Sequence, residues 1–106
     1  MELTPYGERT ILSQVATVVH GDFEWDAAKA ASNLTKHDVS FEEAATVFAD
    51  PNVLLLDDGA ERLVALGLSA RVRVLYVVHV ERGDRDRIIS ARRATPAEEA
   101  FYNTQG

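Results

Sequence analysis

The sequence predicts an α+β domain: a pair of short helices, an antiparallel sheet of about four strands, and a C-terminal helix, with the helices on one sheet face. Three observations predict it. Residues 26–50 hold two segments with helix-capping signals and helical spacing of apolar residues. Residues 52–94 are strand-like runs separated by short turn signals. Thr95-Pro96-Ala97-Glu98 then opens a last helix with a Thr cap, proline at the first position and Glu completing a capping box.

Taken in chain order, Thr4-Pro5 reads as a helix start, and Ile11, Leu12, Val15, Val18 and Val19 recur at helical spacing. The β-branched stretch from Val15 to His20 reads equally as a strand, and Gly21 stops either element. Phe23-Glu24-Trp25 is a short strand-like piece. Asp26 caps a helix to about Lys36, with Ala27, Ala31 and Leu34 on its apolar face. Ser40-Phe41-Glu42-Glu43 is a capping box, with Val39 and Ala44 placed as a hydrophobic staple. That second helix buries Phe41, Ala44, Ala45 and Phe48, and Asp50-Pro51 ends it.

Strands are predicted over 52–56, 62–68, 72–81 and 85–93, with turns at Asp57-Asp58-Gly59 and Gly83-Asp84. In the last hairpin Arg82 pairs with Arg85, His79 faces Ile88, and Leu75 faces Arg92. Val72, Val74, Tyr76, Val78 and Val80 form the continuous apolar stripe, expected to lie against the helices that hold Leu34 and Phe48. Arg73, His79, Ser90 and Arg92 then fall on the open face.

Composition excludes several classes. At 106 residues there is room for one domain. An apolar fraction of 46% argues against disorder of the whole. With no cysteine there is neither a disulfide framework nor a thiolate metal site, which fits a cytoplasmic protein. No apolar run reaches the roughly 18 residues of a membrane span, and no secretory signal opens the chain. The net charge of −6 is uneven. Residues 1–58 hold three basic and eleven acidic side chains, whereas residues 59–106 hold eight arginines and six acids. Arginine presents a planar fork that matches phosphate. Arginines and a histidine on one sheet face therefore suit a phosphate-bearing ligand. His20, His37 and His79 are scattered without metal-like spacing, no glycine-rich phosphate loop is present, and neither a cofactor nor a metal is expected.

The chain also resembles a known family. Phe23-Glu24-Trp25-Asp26, Lys29, Asn33, Lys36-His37, Val39-Ser40-Phe41-Glu42-Glu43-Ala44, Phe48 and Asp50-Pro51 are similar to the opening of BrnT toxins. Arg62, Gly67, Ser69 and Arg73 resemble the middle of that family. Arg82-Gly83-Asp84, the run from Arg87 to Thr95, Glu98 and Tyr102 resemble its end. The likeness spans residues 22–102, leaving residues 1–21 as an N-terminal extension to a toxin domain over 22–106.

The resemblance implies a fold like that of RelE-type ribonucleases, metal-free RNA cleavage that inhibits translation, and neutralisation by a BrnA-like ribbon-helix-helix antitoxin. DNA contact belongs to the antitoxin, and no membrane is involved. Metal-free cleavage needs a base for the 2′-hydroxyl, cations for the phosphorane and an acid for the leaving oxygen. Arg62, Arg73 and Arg92 are then the candidates for phosphate stabilisation, with His79, the one histidine on the open sheet face, as acid or base and Glu98 as the alternative base. Lys36, His37, Arg87, Arg93 and Tyr102 are nominated as RNA contacts.

Three features depart from the family pattern. Asp38 stands where a glycine is usual, Glu99-Ala100 where basic residues are common, and the total charge is acidic. They support a second reading, a catalytically weakened protein that binds an antitoxin and modulates autorepression.

Overall fold

The computed structural model describes residues 16–60 and 62–105. The elements are β1 (Thr17–His20), β2 (Phe23–Asp26), α1 (Ala27–His37), α2 (Phe41–Ala45), a 3-10 turn (Thr46–Ala49), β3 (Leu54–Asp57), β4 (Leu63–Leu68), β5 (Val74–Arg82), β6 (Arg85–Arg93) and α3 (Pro96–Gln105). The helical start considered at Thr4-Pro5 lies outside the described residues. Of the two readings for residues 15–20, the strand is found at Thr17–His20.

Local chemistry explains most boundaries. The Asp26 carboxylate accepts the Lys29 N–H at 3.0 Å and starts α1. Ser40 caps α2 by accepting the Glu43 N–H at 2.9 Å. At the end of α1, Asp38 has φ 57° and ψ 34°, and its N–H donates to the Leu34 carbonyl. This is the left-handed helix end that glycine adopts without a Cβ penalty. An aspartate there also sets a negative charge against the negative end of the helix dipole. Asp38→Gly should therefore raise stability by roughly 1 kcal/mol, read as an increased urea midpoint with an unchanged m-value.

The described strands form one sheet in the order β1-β2-β6-β5-β4-β3. It is mixed rather than antiparallel throughout. β2 runs parallel to β6, with Phe23 opposite Asp86 and Glu24 opposite Arg87. The expected four-strand sheet thus gains two strands and one parallel contact. Four residues are too few to show where a strand will pair; side-chain contacts place this one. Phe23 packs on Phe48 with ring centroids 4.9 Å apart, and Trp25 meets Phe41 edge-on at 5.8 Å. Glu24 and Arg87 form a 2.6 Å ion pair across the parallel contact.

The faces of β5 are the reverse of those expected. Leu75, Val77 and His79 are buried on the side packed by α1 and α2, the inner face, with Ile88 and Ala91 of β6. Val74, Tyr76, Val78 and Val80 are half-buried on the outer face. Both sets are largely apolar, because β5 is a central strand with one face buried and the other half-buried, so alternation alone could not choose between them. The hairpin register matches expectation from Arg82–Arg85 to His79–Ile88, then shifts. Val78 pairs with Ser90 and Tyr76 with Arg92, so Ile89 bulges and Leu75 faces Arg93 rather than Arg92.

Helix coverage differs as well. On α1 the expected apolar face is not buried: Leu34 is 48% exposed, and Asn33 is the buried residue. On the outer face, Val64 and Leu66 of β4 are buried beside Val78 and Tyr76. The first turn of α3 is tied to this same face through Glu98 and Arg92, so the helices are not all on one side. Gly67 lets the 3-10 turn approach β4. A Cβ there would sit 3.0 Å from Val53 Cγ2 and 3.3 Å from Val47 Cβ.

Candidate functional site

The four residues expected to make one phosphate pocket, Arg62, Arg73, His79 and Arg92, do not share a face. Arg73 lies on the inner side and enters a buried ion pair. Its Nε donates to Glu43 Oε2 at 3.0 Å, and its Nη2 donates to Glu43 Oε1 and to the Asp38 carbonyl. The Ser69 hydroxyl donates to the same carboxylate at 2.7 Å. Burial pushes the Glu43 carboxyl up, but the hydrogen bonds from Arg73 and Ser69 outweigh it and hold the group below its ordinary value. Glu43 does not complete the expected capping box; its side chain turns to Arg73 instead. Its spacing from Ser40 concealed that use.

His79 is also inside. Its Nδ1 lies 3.2 Å from Asp86 Oδ1, its ring meets Phe48 edge-on at 4.9 Å, and Nε2 is buried with no partner among the described residues. Arg62 precedes β4 and donates to Asp58 at 3.2 Å in the β3–β4 turn. Its neighbour Leu63 pairs with His79, three residues along β5 from the Tyr76 that pairs with Arg92. That separation is roughly 10 Å.

Arg92 and Glu98 do come together, on the outer face. The guanidinium donates twice to the Glu98 carboxylate, at 2.8 and 3.0 Å, and lies 4.0 Å over the Tyr76 ring. Glu98 also completes its capping box, accepting the Thr95 N–H while its own N–H donates to the Thr95 hydroxyl. The Arg92 bonds hold the Glu98 carboxyl at about 2. A carboxylate that acidic is a poor proton acceptor near neutral pH. Its geometry suits it to orienting Arg92. Tyr76 was missed because an unbulged hairpin sets Leu75, rather than Tyr76, opposite Arg92.

The expected RNA contacts divide similarly. Arg87 is held by Glu24. Tyr102 is buried and donates to Asp50 Oδ2 at 2.6 Å, which with burial pushes its hydroxyl up to about 12. Arg93 is exposed at the end of β6. Lys36 and His37 are exposed in the last turn of α1. They line a cleft of about 190 Å³ with Lys29, Ser32, Asn33, Ile89 and Ser90. Lys29 was not singled out as a contact, although its spacing of seven from Lys36 puts both on one helix face. No group of three His, Asp or Glu side chains placed to ligate a metal occurs among the described residues.

The fold is of a kind found in small α+β ribonuclease toxins. It is similar to the 1.1 Å crystal structure of the Brucella abortus ribonuclease toxin BrnT, with a TM-score of 0.57 and 24% identity. The match covers 67% of this chain and 92% of that one. Residues 25–98 match the family model of BrnT ribonuclease toxins of type II toxin–antitoxin systems, and the chain belongs to that family. A comparison with curated proteins found no match. Membership in a type II system implies an antitoxin as partner. No described helix is long and apolar enough to cross a membrane.

Proposed function

We propose that the chain is itself an endoribonuclease that cleaves RNA without a metal and thereby inhibits translation in the cytoplasm. A BrnA-like ribbon-helix-helix antitoxin would neutralise it, with DNA contacted only through that antitoxin. The observation that carries the activity is the Arg92 guanidinium, fixed by Glu98 and Tyr76 on the outer face. A guanidinium held in place before substrate arrives can stabilise charge as it develops on a phosphorane, at little reorganisation cost. In this reading Arg92 meets the phosphate, Glu98 and Tyr76 position it, and Ser90 lies two residues away on the same face. Arg62 flanks that face. Arg73 and His79 act inside the fold.

One observation favours the second reading, a weakened antitoxin-binding protein. Arg73, Arg87 and Arg92 are all neutralised by internal carboxylates. Induced expression of the chain alone separates the two, with growth and RNA integrity followed. Arg92→Ala should lower cleavage on the order of 10²-fold, as for loss of one preorganised donor. Arg92→Lys should not restore it, because a point charge cannot reproduce the fork. Harmless wild-type protein that leaves RNA intact would establish the binding reading. Co-purification with the product of an adjacent ribbon-helix-helix gene tests the partner.

A further inference from the structure

A substrate phosphate must be captured before Arg92 can act on it, and a guanidinium already paired with a carboxylate attracts little from a distance. Arg62, Arg71, Arg73, Arg82, Arg87 and Arg92 each lie within 4.0 Å of an acidic side chain. The Lys and Arg side chains with no such partner among the described residues are Lys29, Lys36, Arg85 and Arg93. Two of them line the cleft between α1 and β6.

We propose that this cleft holds the sugar-phosphate backbone of a single RNA strand, with Lys29 and Lys36 each on a phosphate of that strand. The inference rests on the ribonuclease reading and gives it a substrate path. Lys29 and Lys36 are the chain's only lysines. Seven residues apart on α1, they stand two turns apart on one face, about 10.5 Å along the axis. His37, Ser32 and Ser90 add hydrogen-bonding groups, and no carboxylate is among the lining residues. Asn33, at the floor, is occupied by backbone groups of Val39 and Ala91.

The second observation is the bulge. The register shift leaves Ile89 without a partner on β5, and Ile89 and Ser90 form the far wall of the cleft. Bulges re-aim side chains and are frequent beside functional sites. Ser90 also shares the outer face with Arg92, two residues or about 6.6 Å further along β6. A strand crossing Arg92 therefore has a route over the sheet edge at Ser90 and onto α1. In a chain of net charge −6, this places positive charge without an acidic partner among the described residues beside the positioned arginine.

The test uses the full chain and a fluorescein-labelled 2′-O-methyl oligoribonucleotide, which cannot be cleaved through its 2′-oxygen. Binding is read by anisotropy across a salt series. The double variant Lys29→Ala/Lys36→Ala should bind about tenfold more weakly at moderate salt, with a salt slope shallower by about 1.4 for two lost phosphate contacts. Arg82→Ala/Arg85→Ala removes two charges at the hairpin tip and should bind like wild type. Both variants change exposed side chains, so their thermal midpoints should stay close to wild type. Equal losses in the two variants would mean non-specific attraction and overturn the cleft. Equal binding by the lysine variant and wild type, or no binding by wild type, would overturn it too. If wild type cuts no RNA but the lysine variant alone loses binding, the activity reading fails while the cleft stands as an RNA-binding site.

Discussion

Arg73→Ala should bring the protein close to unfolding, with a loss of about 3–5 kcal/mol. The guanidinium neutralises a carboxylate whose side chain is 4% exposed, and it also satisfies the Asp38 carbonyl at the end of α1. Removing it leaves Glu43 charged in a buried setting with only the Ser69 hydroxyl and the exposed Arg71, 3.8 Å away, to compensate, while small domains have only about 5–15 kcal/mol of stability in total. Urea denaturation is the measurement, and a loss below about 1 kcal/mol would refute the assignment. Replacing both partners together, Glu43→Leu with Arg73→Met, should recover much of the loss, since an apolar pair leaves no orphan charge. The pH dependence follows from Glu43. Its folded pKa is depressed, so the pair's stabilisation is present above the carboxyl's ordinary value of 4.5 and is lost as pH falls through the lower folded value. In Arg73→Ala the acid-side loss should shrink, because the main cause of the depression is gone.

Asn33→Ala is the second large expected effect. After Arg87, β2 no longer pairs with β6, and α1 runs alongside β6 instead. The Asn33 side chain then behaves as a neighbouring strand would. Its Nδ2 donates to the Ala91 carbonyl at 2.8 Å, and its Oδ1 accepts the Ala91 N–H at 3.1 Å. The same Nδ2 donates to the Val39 carbonyl at 3.0 Å, so the loop after α1 is held too. Alanine would leave these buried backbone groups unpaired at about 1–3 kcal/mol each, for a total of roughly 3 kcal/mol or more. Asn33→Asp is the sharper probe. It keeps an acceptor for the Ala91 N–H but sets a carboxylate against two carbonyls, so it should be at least as damaging as alanine. Hydrogen exchange at the Ala91 amide should rise in Asn33→Ala ahead of global unfolding. Unchanged protection there would remove the argument.

These two residues show what a one-dimensional reading misses. Asn33 and Arg73 were visible as parts of a family resemblance, but neither type betrays a buried structural role by periodicity. Buried polar groups depend on partners that are distant in sequence: Asn33 meets Ala91 and Arg73 meets Glu43. The Arg92–Glu98 pair was half legible. Both residues were nominated, yet their contact and the Tyr76 beneath them required the bulge at Ile89, which strand alternation did not reveal. Lys36 and His37, expected as RNA contacts, line one cleft, and the helical spacing that adds Lys29 to it is present in the sequence.

The sequence by itself determined the local events. Caps at Asp26, Ser40 and Thr95, the stop at Asp50-Pro51, and the turns at Asp57-Asp58-Gly59 and Gly83-Asp84 each depend on side chains within a few residues. The resemblance carried by its motifs pointed to the BrnT family, which the match over residues 25–98 shows. The tertiary structure alone decided which face of β5 is buried, where β2 joins the sheet, and which cations keep their charge for a ligand. The physical reason is common to all three. A central strand is apolar on both faces, a four-residue strand has no pairing signal of its own, and an arginine's available charge depends on whether a distant carboxylate already neutralises it.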